Sequence, residues 1–258
     1  MREVIMSHGV FGGIELREES LRRLSFFLKI EEIQLISLVS LSRALNAEWF
    51  LDIGANVGFY SLVMGKYSRH VRGLAFEPTP ETYKQLRDNL SSSSLASRFS
   101  AINAAVSGAR GSLQFYDFGD CSGRNGVVST SIHRRDGVKS VIDVPAVTLD
   151  EVCSHLVDRR CVLKIDTEGH EAEVIRGGRK FLRDNTCIVQ IEAGHGNGGG
   201  AIDSELSGLM YSPLFEIGPD RYYSNCQDYF QSEVRLDLLE RALKDTLKFR
   251  WNQDMEVW

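Results

Sequence analysis

The sequence has no long apolar run, no cysteine pair at metal-ligand spacing and no recognisable leader. No window of about 20 apolar residues is present, so a membrane-spanning helix is not expected. The amino terminus lacks the apolar segment and small-residue cleavage site of a secretion signal. The five cysteines are odd in number and form no CxxC pair, which fits neither a disulfide framework nor a thiolate zinc site. These absences favour a protein of the reducing cytoplasm.

The chain also has no excess of basic residues over acidic ones. The chain has 30 basic and 35 acidic residues and a net charge of −5. Broad electrostatic binding of nucleic acid or anionic lipid is therefore not expected. With 43% hydrophobic and 25% charged residues, the composition is that of a globular protein and excludes wholesale disorder. A length of 258 residues suits one ordinary α/β domain or two small ones.

Strands and helices alternate through the middle of the chain, which predicts a doubly wound α/β sheet. The sequence divides into an amino-terminal helical extension (1–45), this α/β domain (46–225) and a carboxyl-terminal helix (226–258). Residues 18–45 predict one or two amphipathic helices that cover the core or contact a partner. The predicted strands are 49–53, 71–76, 99–103, 161–166, 187–192, 214–217 and 221–224. The predicted helices include 57–68, one from 79, a short one from 148, 170–182, 201–211 and 233–249.

Two regions depart from simple alternation. Residues 112–116 and 141–144 predict the strands of a hairpin, and the polar, glycine-rich stretch 119–139 between them predicts a long functional loop. Residues 194–200 predict a flexible loop. In the last helix, four leucines fall in register: Leu236, Leu239, Leu243 and Leu247.

A glycine-containing turn follows the first strand of the predicted domain, with the sequence Asp-Ile-Gly-Ala-Asn-Val-Gly (52–58). Glycine at a strand-to-helix turn lets a ligand approach the backbone, and the helix amino terminus offers free N–H groups. Glu77 ends the next strand 23 residues after Gly54, where an acidic group binds ribose hydroxyls in doubly wound folds. The two features together indicate a nucleoside site, although the glycines alone also fit a simple tight turn.

The same turn favours one nucleoside cofactor over another. Asn56 stands where a dinucleotide fingerprint has its second glycine, and the Asp52 carboxylate at the turn would repel a pyrophosphate. S-adenosylmethionine carries an ammonium and a sulfonium and no phosphate, so it is favoured over NAD. An NAD-dependent oxidoreductase remains the runner-up. The phosphate-binding pattern G-x-x-x-x-G-K-[ST] does not occur.

A second polar constellation follows the strand 161–166. Lys164 and Asp166 share one strand face, and Glu168 joins them if the alternation continues. Asp166 could cap the next helix, act as a general base, or bind a divalent metal ion with Glu192 and His195. His170 lies near the same strand end. The spacing leaves these alternatives open.

Six stretches together resemble the FkbM-type family of S-adenosylmethionine-dependent methyltransferases. They are FLDIGANVGFYSL (50–62), AFEPTPETYKQLRDNL (75–90), NAAVSG (103–108), VTLDEV (147–152), LKIDTEGHEAEVIRGG (163–178) and IVQIE (188–192). The resemblance covers roughly residues 48–217. It implies a class I methyltransferase (Rossmann-like) sheet, mostly parallel with an antiparallel carboxyl-terminal strand, plus an inserted hairpin and terminal helices. It also implies methyl transfer to a hydroxyl of a small molecule, a sugar or a polyketide-like scaffold.

The resemblance also implies roles for individual residues. The implied cofactor-binding residues are Asp52, Gly54, Ala55, Asn56 and Gly58 at the turn, Glu77 and Pro78 at the ribose, and Asn103, Ala104 and Ala105 near the adenine. The resemblance places Asp166 at the sulfonium and the acceptor, and the polar cluster at the same strand end adds Lys164, Glu168 and His170 as candidate catalytic residues. The resemblance implies that Ser129, Thr130 and Ser131 contact the acceptor. Glu192 and His195, near a predicted strand end, are further candidates for acceptor binding.

An alcohol is a poor nucleophile at neutral pH, so the reaction needs a base or a metal. Asp166 or His170 is the expected base, Lys164 and Glu168 would orient it, and Mg²⁺ bound by Asp166 and Glu192 is the alternative activator. Other classes are a non-catalytic cofactor-binding module and a nucleic-acid methyltransferase, the latter disfavoured because the chain has no basic stripe. The terminal helices could build a homodimer or simply close the domain.

Overall fold

The computed structural model describes residues 3–5, 13–21, 31–119, 122–129, 136–193 and 199–252. The strands in chain order are β1 (Glu3–Ile5), β2 (Glu15–Arg17), β3 (Trp49–Ile53), β4 (Arg72–Phe76), β5 (Phe99–Ile102), β6 (Ala105–Val106), β7 (Gly111–Asp117), β8 (Gly126–Val127), β9 (Ser140–Val147), β10 (Arg160–Ile165), β11 (Thr186–Glu192), β12 (Ser212–Ile217) and β13 (Asp220–Ser224).

The α-helices alternate with these strands. In chain order they are α1 (Glu32–Leu45), α2 (Phe59–Tyr67), α3 (Pro80–Ser92), α4 (Leu149–Val152), α5 (Glu171–Arg176), α6 (Arg179–Asp184), α7 (Gly199–Ser207) and α8 (Ser232–Asn252), with 3₁₀ turns at Glu18–Ser20 and Gln227–Phe230. No helix among the described residues is long and apolar enough to cross a membrane.

A seven-stranded sheet with the order β12-β13-β11-β10-β3-β4-β5 forms the centre of the molecule. Strands β3, β4, β5, β10 and β11 run parallel, β13 is antiparallel to β11, and β12 is antiparallel to β13. The order reverses beside β3, because the chain builds outward from that strand first on one side and then on the other. The predicted fold class, a mostly parallel doubly wound sheet with an antiparallel carboxyl-terminal hairpin, is confirmed.

Helices cover both faces of the sheet because the strands are apolar on both faces. One apolar cluster joins one face of the sheet to α1, α2, α3 and α8. The other joins the opposite face to α4, α5, α6 and α7. Phe50, Val162 and Tyr222 belong to the first cluster, and their strand neighbours Leu51, Leu163 and Tyr223 to the second. This alternation with a period of two fixes which polar side chains reach which face.

The helix predicted over 170–182 is wrong as a single element. The structure has α5 and α6 instead, separated at Gly177 and Gly178. A Cβ on Gly177 would lie 1.9 Å from the carbonyl oxygen of Ser107, so the backbone of another segment crosses the helix there. The helix axis breaks because two backbones touch, which the helical periodicity of the sequence does not show.

The loop predicted over 119–139 is partly ordered as sheet. Strand β8 pairs with β7, and Phe115 is the register partner of Val127. A second sheet with the order β6-β9-β7-β8 results. Strands of two residues, such as β6 and β8, are shorter than any hydrophobic pattern, and sequence periodicity therefore misses them. The expected hairpin itself is present as β7 and β9.

The helices near both termini pack against each other. Helix α1 is buried along most of its length between the sheet and α8, so it covers the core, which is the first of the two roles that the sequence predicted. Ser40 Oγ of α1 donates a hydrogen bond of 2.6 Å to Asp245 of α8. The rest of the predicted 18–45 helical range includes residues 22–30, which lie outside the described part of the chain.

The bounds of helix α7 also differ from the predicted ones. Helix α7 begins at Gly199 and ends at Ser207, earlier than the predicted 201–211. Met210 has a φ of +62°, a left-handed conformation that does not continue a helix. Of the loop predicted over 194–200, residues 194–198 lie outside the description, and the last two belong to α7.

Candidate active site

An open cleft of about 810 Å³ lies at the carboxyl ends of β3, β4 and β10. In doubly wound sheets, ligand sites lie at the carboxyl ends of the strands, where the strand order reverses. The walls come from four parts of the chain: the turn after β3, the end of β4, the segment after β10, and the second sheet. The lining residues used below are Gly54, Ala55, Asn56, Glu77, Pro78, Ala104, Ala105, Phe115, Asn125, Lys164, Asp166, Glu168 and His170.

The turn after β3 is held against its neighbours by backbone contacts. The N–H groups of Gly54 and Ala55 donate to the carbonyl of Phe76 at 3.1 and 2.9 Å. Gly54 has a φ of +80°, and a Cβ there would lie 1.8 Å from the carbonyl oxygen of Asp166. Only glycine fits between the two loops, so the turn and the Asp166 segment form adjoining walls of one cleft.

Glu77 connects this turn to the end of β4. One carboxylate oxygen accepts a hydrogen bond from the Asn56 N–H at 3.1 Å, and the other accepts from the Thr79 N–H at 2.9 Å. Glu77 is 6% exposed, and burial raises its pKa to about 7 despite these hydrogen bonds. The residue lies on the cleft wall, as the sequence predicted.

The predicted adenine-side residues divide into two roles. Ala104 and Ala105 line the cleft. The Asn103 amide instead donates to the carbonyls of Glu77 and Pro78, both at 2.9 Å, and so supports the wall from behind. Phe115 and Val127 of the second sheet add an apolar surface to the same cleft.

Two predicted cofactor residues lie beneath the turn. Asp52 is fully buried, and one of its oxygens accepts hydrogen bonds from the N–H and hydroxyl of Ser61 at 3.1 and 2.7 Å. Burial raises the pKa of Asp52, and the nearby Lys164 ammonium opposes that shift. Gly58 precedes α2 with a φ of +91°, and a Cβ there would meet Leu86 at 2.6 Å. Both residues shape the turn from below.

Lys164 and Asp166 form an ion pair at the adjoining wall. Lys164 Nζ donates a hydrogen bond of 2.8 Å to Asp166 and lies 4.8 Å from the ring centroid of Tyr60. Burial alone would lower the pKa of Lys164, but the carboxylates of Asp166 and Asp52 outweigh burial and raise it. The lysine therefore stays charged and orients the Asp166 carboxylate.

Three carboxyl groups gather beside this pair. Oxygens of Asp166, Glu168 and Glu192 lie within 4.8 Å of one another. Burial and the neighbouring Asp166, with which Glu192 shares a hydrogen bond, raise the pKa of Glu192 to about 10. Carboxylate oxygens suit a divalent cation in principle. The Lys164 ammonium already neutralises Asp166, however, and Mg²⁺ here stays a prediction.

His170 also lines the cleft, at the start of α5. Its Nε2 lies 2.9 Å from the hydroxyl of Ser107, a hydrogen bond between two buried side chains. Burial lowers the pKa of His170, and the Glu173 carboxylate opposes that shift. The imidazole is consequently neutral near pH 7.

The structure does not bring every predicted acceptor residue to the cleft. Ser129 is exposed on the turn after β8. Thr130, Ser131 and His195 lie outside the described residues, so their predicted roles remain predictions. Glu192 reaches the site through its contact with Asp166.

Sequence reasoning missed several further lining residues, among them Tyr60 and Glu31. The Tyr60 hydroxyl accepts a hydrogen bond of 3.1 Å from Gln190, which also donates to Asp220 at 2.6 Å. Tyr60 falls within the motif after the glycine turn, so the motif itself was a usable signal. Glu31 precedes α1 in the amino-terminal extension, and only the packing of that helix brings it to the cleft.

The sequence profile described as the methyltransferase FkbM domain matches residues 52–216, which is more than half of the chain. The chain belongs to the FkbM methyltransferase family. The expected family is thereby confirmed, and with it the methyltransferase class.

The individual proteins to which the chain is similar share 15–28% of its residues. The chain is 26% identical over 198 residues to methyltransferase sdnD of Sordaria araneosa, covering 67% of this chain and 75% of the relative. It is 28% identical over 145 residues to the hexuronic acid methyltransferase AglP of Haloferax volcanii, covering 55% of each. A crystal structure of an FkbM methyltransferase from Methylobacillus flagellatus KT aligns with a TM-score of 0.49 at 15% identity, over 69% of this chain and 44% of that one.

The cofactor implied by the family, S-adenosylmethionine, suits the residues of the cleft. Gly54 leaves room for a ligand against the backbone, and Glu77 offers carboxylate oxygens to ribose hydroxyls. Asp52 Oδ1 is buried with no hydrogen-bond partner in the described part of the chain. An acidic oxygen without a partner beneath the turn suits a cationic ligand better than a pyrophosphate.

Asn125 connects the second sheet to the wall of the cleft that contains Glu77 and Thr79. Replacement of Asn125 tests whether this connection supports the binding of the expected cofactor. The Asn125 amide donates to the Thr79 hydroxyl at 3.3 Å, and its carbonyl accepts from the Phe118 N–H at 2.8 Å. We expect Asn125→Ala to raise the Kd of S-adenosylhomocysteine about 5-fold, which corresponds to roughly 1 kcal/mol for the lost hydrogen bonds. Calorimetric titration measures this, with Ser112→Ala at the far end of β7 as the control. Unchanged affinity would show that the sheet does not support the cofactor site.

Proposed function

We propose that the protein is an S-adenosylmethionine-dependent O-methyltransferase that acts on a hydroxyl group of a saccharide or natural-product scaffold. The observation that carries this proposal is the contact between the two walls of the cleft. Gly54 of the cofactor turn touches the backbone of Asp166, and the Asp166 side chain meets Lys164 at the adjoining wall. A nucleoside-binding turn and a polar group able to accept a proton therefore share one cavity. The name of AglP agrees with a saccharide acceptor.

When bound, the cofactor supplies an electrophilic methyl group on a positively charged sulfur. Gly54, Ala55 and Glu77 would hold the cofactor, and its methyl group would pass to the acceptor oxygen with the neutral thioether as the leaving group. The hydroxyl proton passes to the Asp166 carboxylate. The walls of the cleft hold the two reactants in line, which by itself supplies much of the rate enhancement.

Asp166 is the preferred base because of its position beside the cofactor turn. Lys164 fixes the carboxylate at 2.8 Å and keeps it oriented while it accepts the proton. His170 is the second candidate because burial lowers its pKa and leaves the imidazole neutral. Its Nε2, however, is engaged with Ser107.

The proposal is tested by incubating the full chain with S-adenosylmethionine and matched acceptors: neutral hexosides, hexuronosides and hydroxylated polyketides. Release of S-adenosylhomocysteine and the mass of the product report transfer. Resistance of the product to mild alkali separates a methyl ether from a methyl ester, and hence a hydroxyl acceptor from a carboxyl acceptor. Binding of S-adenosylhomocysteine without transfer to any acceptor would favour a non-catalytic module, and binding of NAD instead would remove the proposal.

Cofactor binding is expected to release a proton from Glu77 near neutral pH. Burial raises the pKa of this residue from 4.5 to about 7, so the folded apoprotein favours its protonated form. The stability that this group contributes is therefore full below its unfolded pKa and is lost as the pH rises through about 7. Ribose hydroxyls that donate to Glu77 stabilise the carboxylate and lower its pKa.

Calorimetry in buffers of different ionisation enthalpy measures this proton. At pH 7 the apparent binding enthalpy of S-adenosylhomocysteine should depend on the buffer for the wild type and not for Glu77→Gln. A wild-type enthalpy independent of the buffer would mean that ribose does not contact this carboxyl.

A further inference from the structure

The outer face of α8 carries an exposed row of leucines. The helix packs on α1 through its inner face, where Leu238 and Ala242 are buried. On the outer face, Leu236, Leu243 and Leu247 are 66%, 46% and 57% exposed. Single exposed leucines are ordinary, but leucines at helical spacing along one face form a contiguous apolar stripe of the kind that binds a partner.

The spacing of these leucines is nearly the same in both directions along the helix. Leu236 and Leu247 lie at similar distances on either side of residue 241, and the half-buried Leu239 and the exposed Leu243 do the same. A second copy of the helix in antiparallel orientation would therefore place Leu236 opposite Leu247 and Leu239 opposite Leu243. A stripe with this arrangement is complementary to itself.

The charges beside the stripe change sign about the same centre. Along this flank of the helix, the acidic Asp237 and Glu240 come before the centre of the stripe, and the basic Arg241 and Lys244 come at or after it. Within one helix they form exposed ion pairs, Asp237 with Arg241 at 2.8 Å and Glu240 with Lys244 at 2.7 Å. In an antiparallel pair, Asp237 of one copy would face Lys244 of the other, and Glu240 would face Arg241.

We propose that the outer face of α8 is the interface of a homodimer in which two copies of the helix pair antiparallel about a two-fold axis. Two-fold association uses the same patch on both subunits, and so requires apolar groups that are symmetric and charges that are antisymmetric about the axis. The leucines and the charged residues of α8 satisfy both conditions. Ion pairs within one helix account for the charges alone, but they do not account for the exposed leucines.

The interface is small. One helix face with four leucines buries a small area compared with most stable protein interfaces. The dimer should therefore dissociate at roughly micromolar concentrations. Sedimentation velocity over a wide range of concentrations should show a reversible monomer–dimer equilibrium for the full chain. A wild type that stays monomeric at every concentration would overturn the proposal.

Substitution of the stripe tests its location. Leu243→Glu should shift the equilibrium to the monomer because it places a charge at the centre of the apolar row. Val157→Glu is the matched control, since Val157 is 50% exposed in the loop before β10. Unchanged thermal melting and binding of S-adenosylhomocysteine would show that both variants fold. Persistence of the dimer in Leu243→Glu would mean that another surface joins the subunits.

Charge reversal tests the orientation. The double variant Asp237→Lys with Glu240→Lys makes this flank of the helix basic, and Arg241→Glu with Lys244→Glu makes it acidic. Each should be monomeric alone, because like charges then meet across the axis, and an equal mixture should form heterodimers. Each reversal also replaces ion pairs within the helix, at a cost of about 0.5 kcal/mol per pair, so melting curves are again needed. Dimers of either variant alone, as stable as the wild type, would overturn the antiparallel arrangement.

Discussion

Asp166→Asn is expected to lower kcat/KM by a factor of about 10²–10⁴ while leaving the binding of S-adenosylhomocysteine nearly unchanged. An amide cannot accept the proton of the acceptor hydroxyl, and general-base catalysis typically contributes this much. Asparagine has the size of aspartate and can still accept the hydrogen bond from Lys164. Steady-state methyl transfer and calorimetry on the same preparation separate the catalytic effect from the binding effect.

The control for this variant is Asp143→Asn, which removes a carboxylate from an exposed position on β9. Thermal melting should confirm that Asp166→Asn remains folded, since the buried Lys164 loses the charge of its partner. Full turnover by Asp166→Asn with normal cofactor binding would exclude Asp166 as the base. His170→Gln would then become the decisive variant, because His170 lies on the same cleft wall.

Gly54→Ala is expected to abolish measurable binding of S-adenosylhomocysteine. The new methyl group would lie 1.8 Å from the Asp166 carbonyl oxygen, a backbone atom that cannot rotate away. The positive φ at this position adds strain for any residue with a Cβ. Together, overpacking and strain should lower the free energy of unfolding by about 2–4 kcal/mol.

Chemical denaturation and calorimetry measure the two effects separately. Gly111→Ala is the matched control, since a Cβ at the start of β7 meets nothing within 4 Å. Because Gly54→Ala displaces the two walls, its binding should be compared at a temperature where the variant is still folded. Normal affinity in the folded variant would show that this turn is not the cofactor site.

The large sheet was predictable because its strands are short apolar runs that end at polar or glycine residues. The predicted strand 187–192 agrees with β11 (Thr186–Glu192) to within one residue. The carboxyl ends of parallel strands share one edge of the sheet. The glycine turn, Glu77 and Asp166 therefore had to be close in space once the fold class was known.

Close contacts between distant segments were not predictable. The break at Gly177 depends on the backbone of Ser107. The amide of Asn103 contacts backbone carbonyls of Glu77 and Pro78 instead of the cleft, although its position at a strand end pointed to the cofactor. In both cases the partner lies far along the chain, and a local pattern contains no information about it.

The sequence by itself determined the family, the strand-and-helix order and part of the cleft, because motifs and apolar periodicity are local properties of the chain. Only the tertiary structure decided which of those residues face the ligand and which lie beneath it. Asp52 and Gly58 belong to the motif but are buried under the turn, whereas Glu31 belongs to no motif and reaches the cleft. For the exposed leucines of α8, the sequence and the tertiary structure contribute in the same way. Helical spacing groups the leucines on one face, and only packing of the helix against α1 decides that this face points outward.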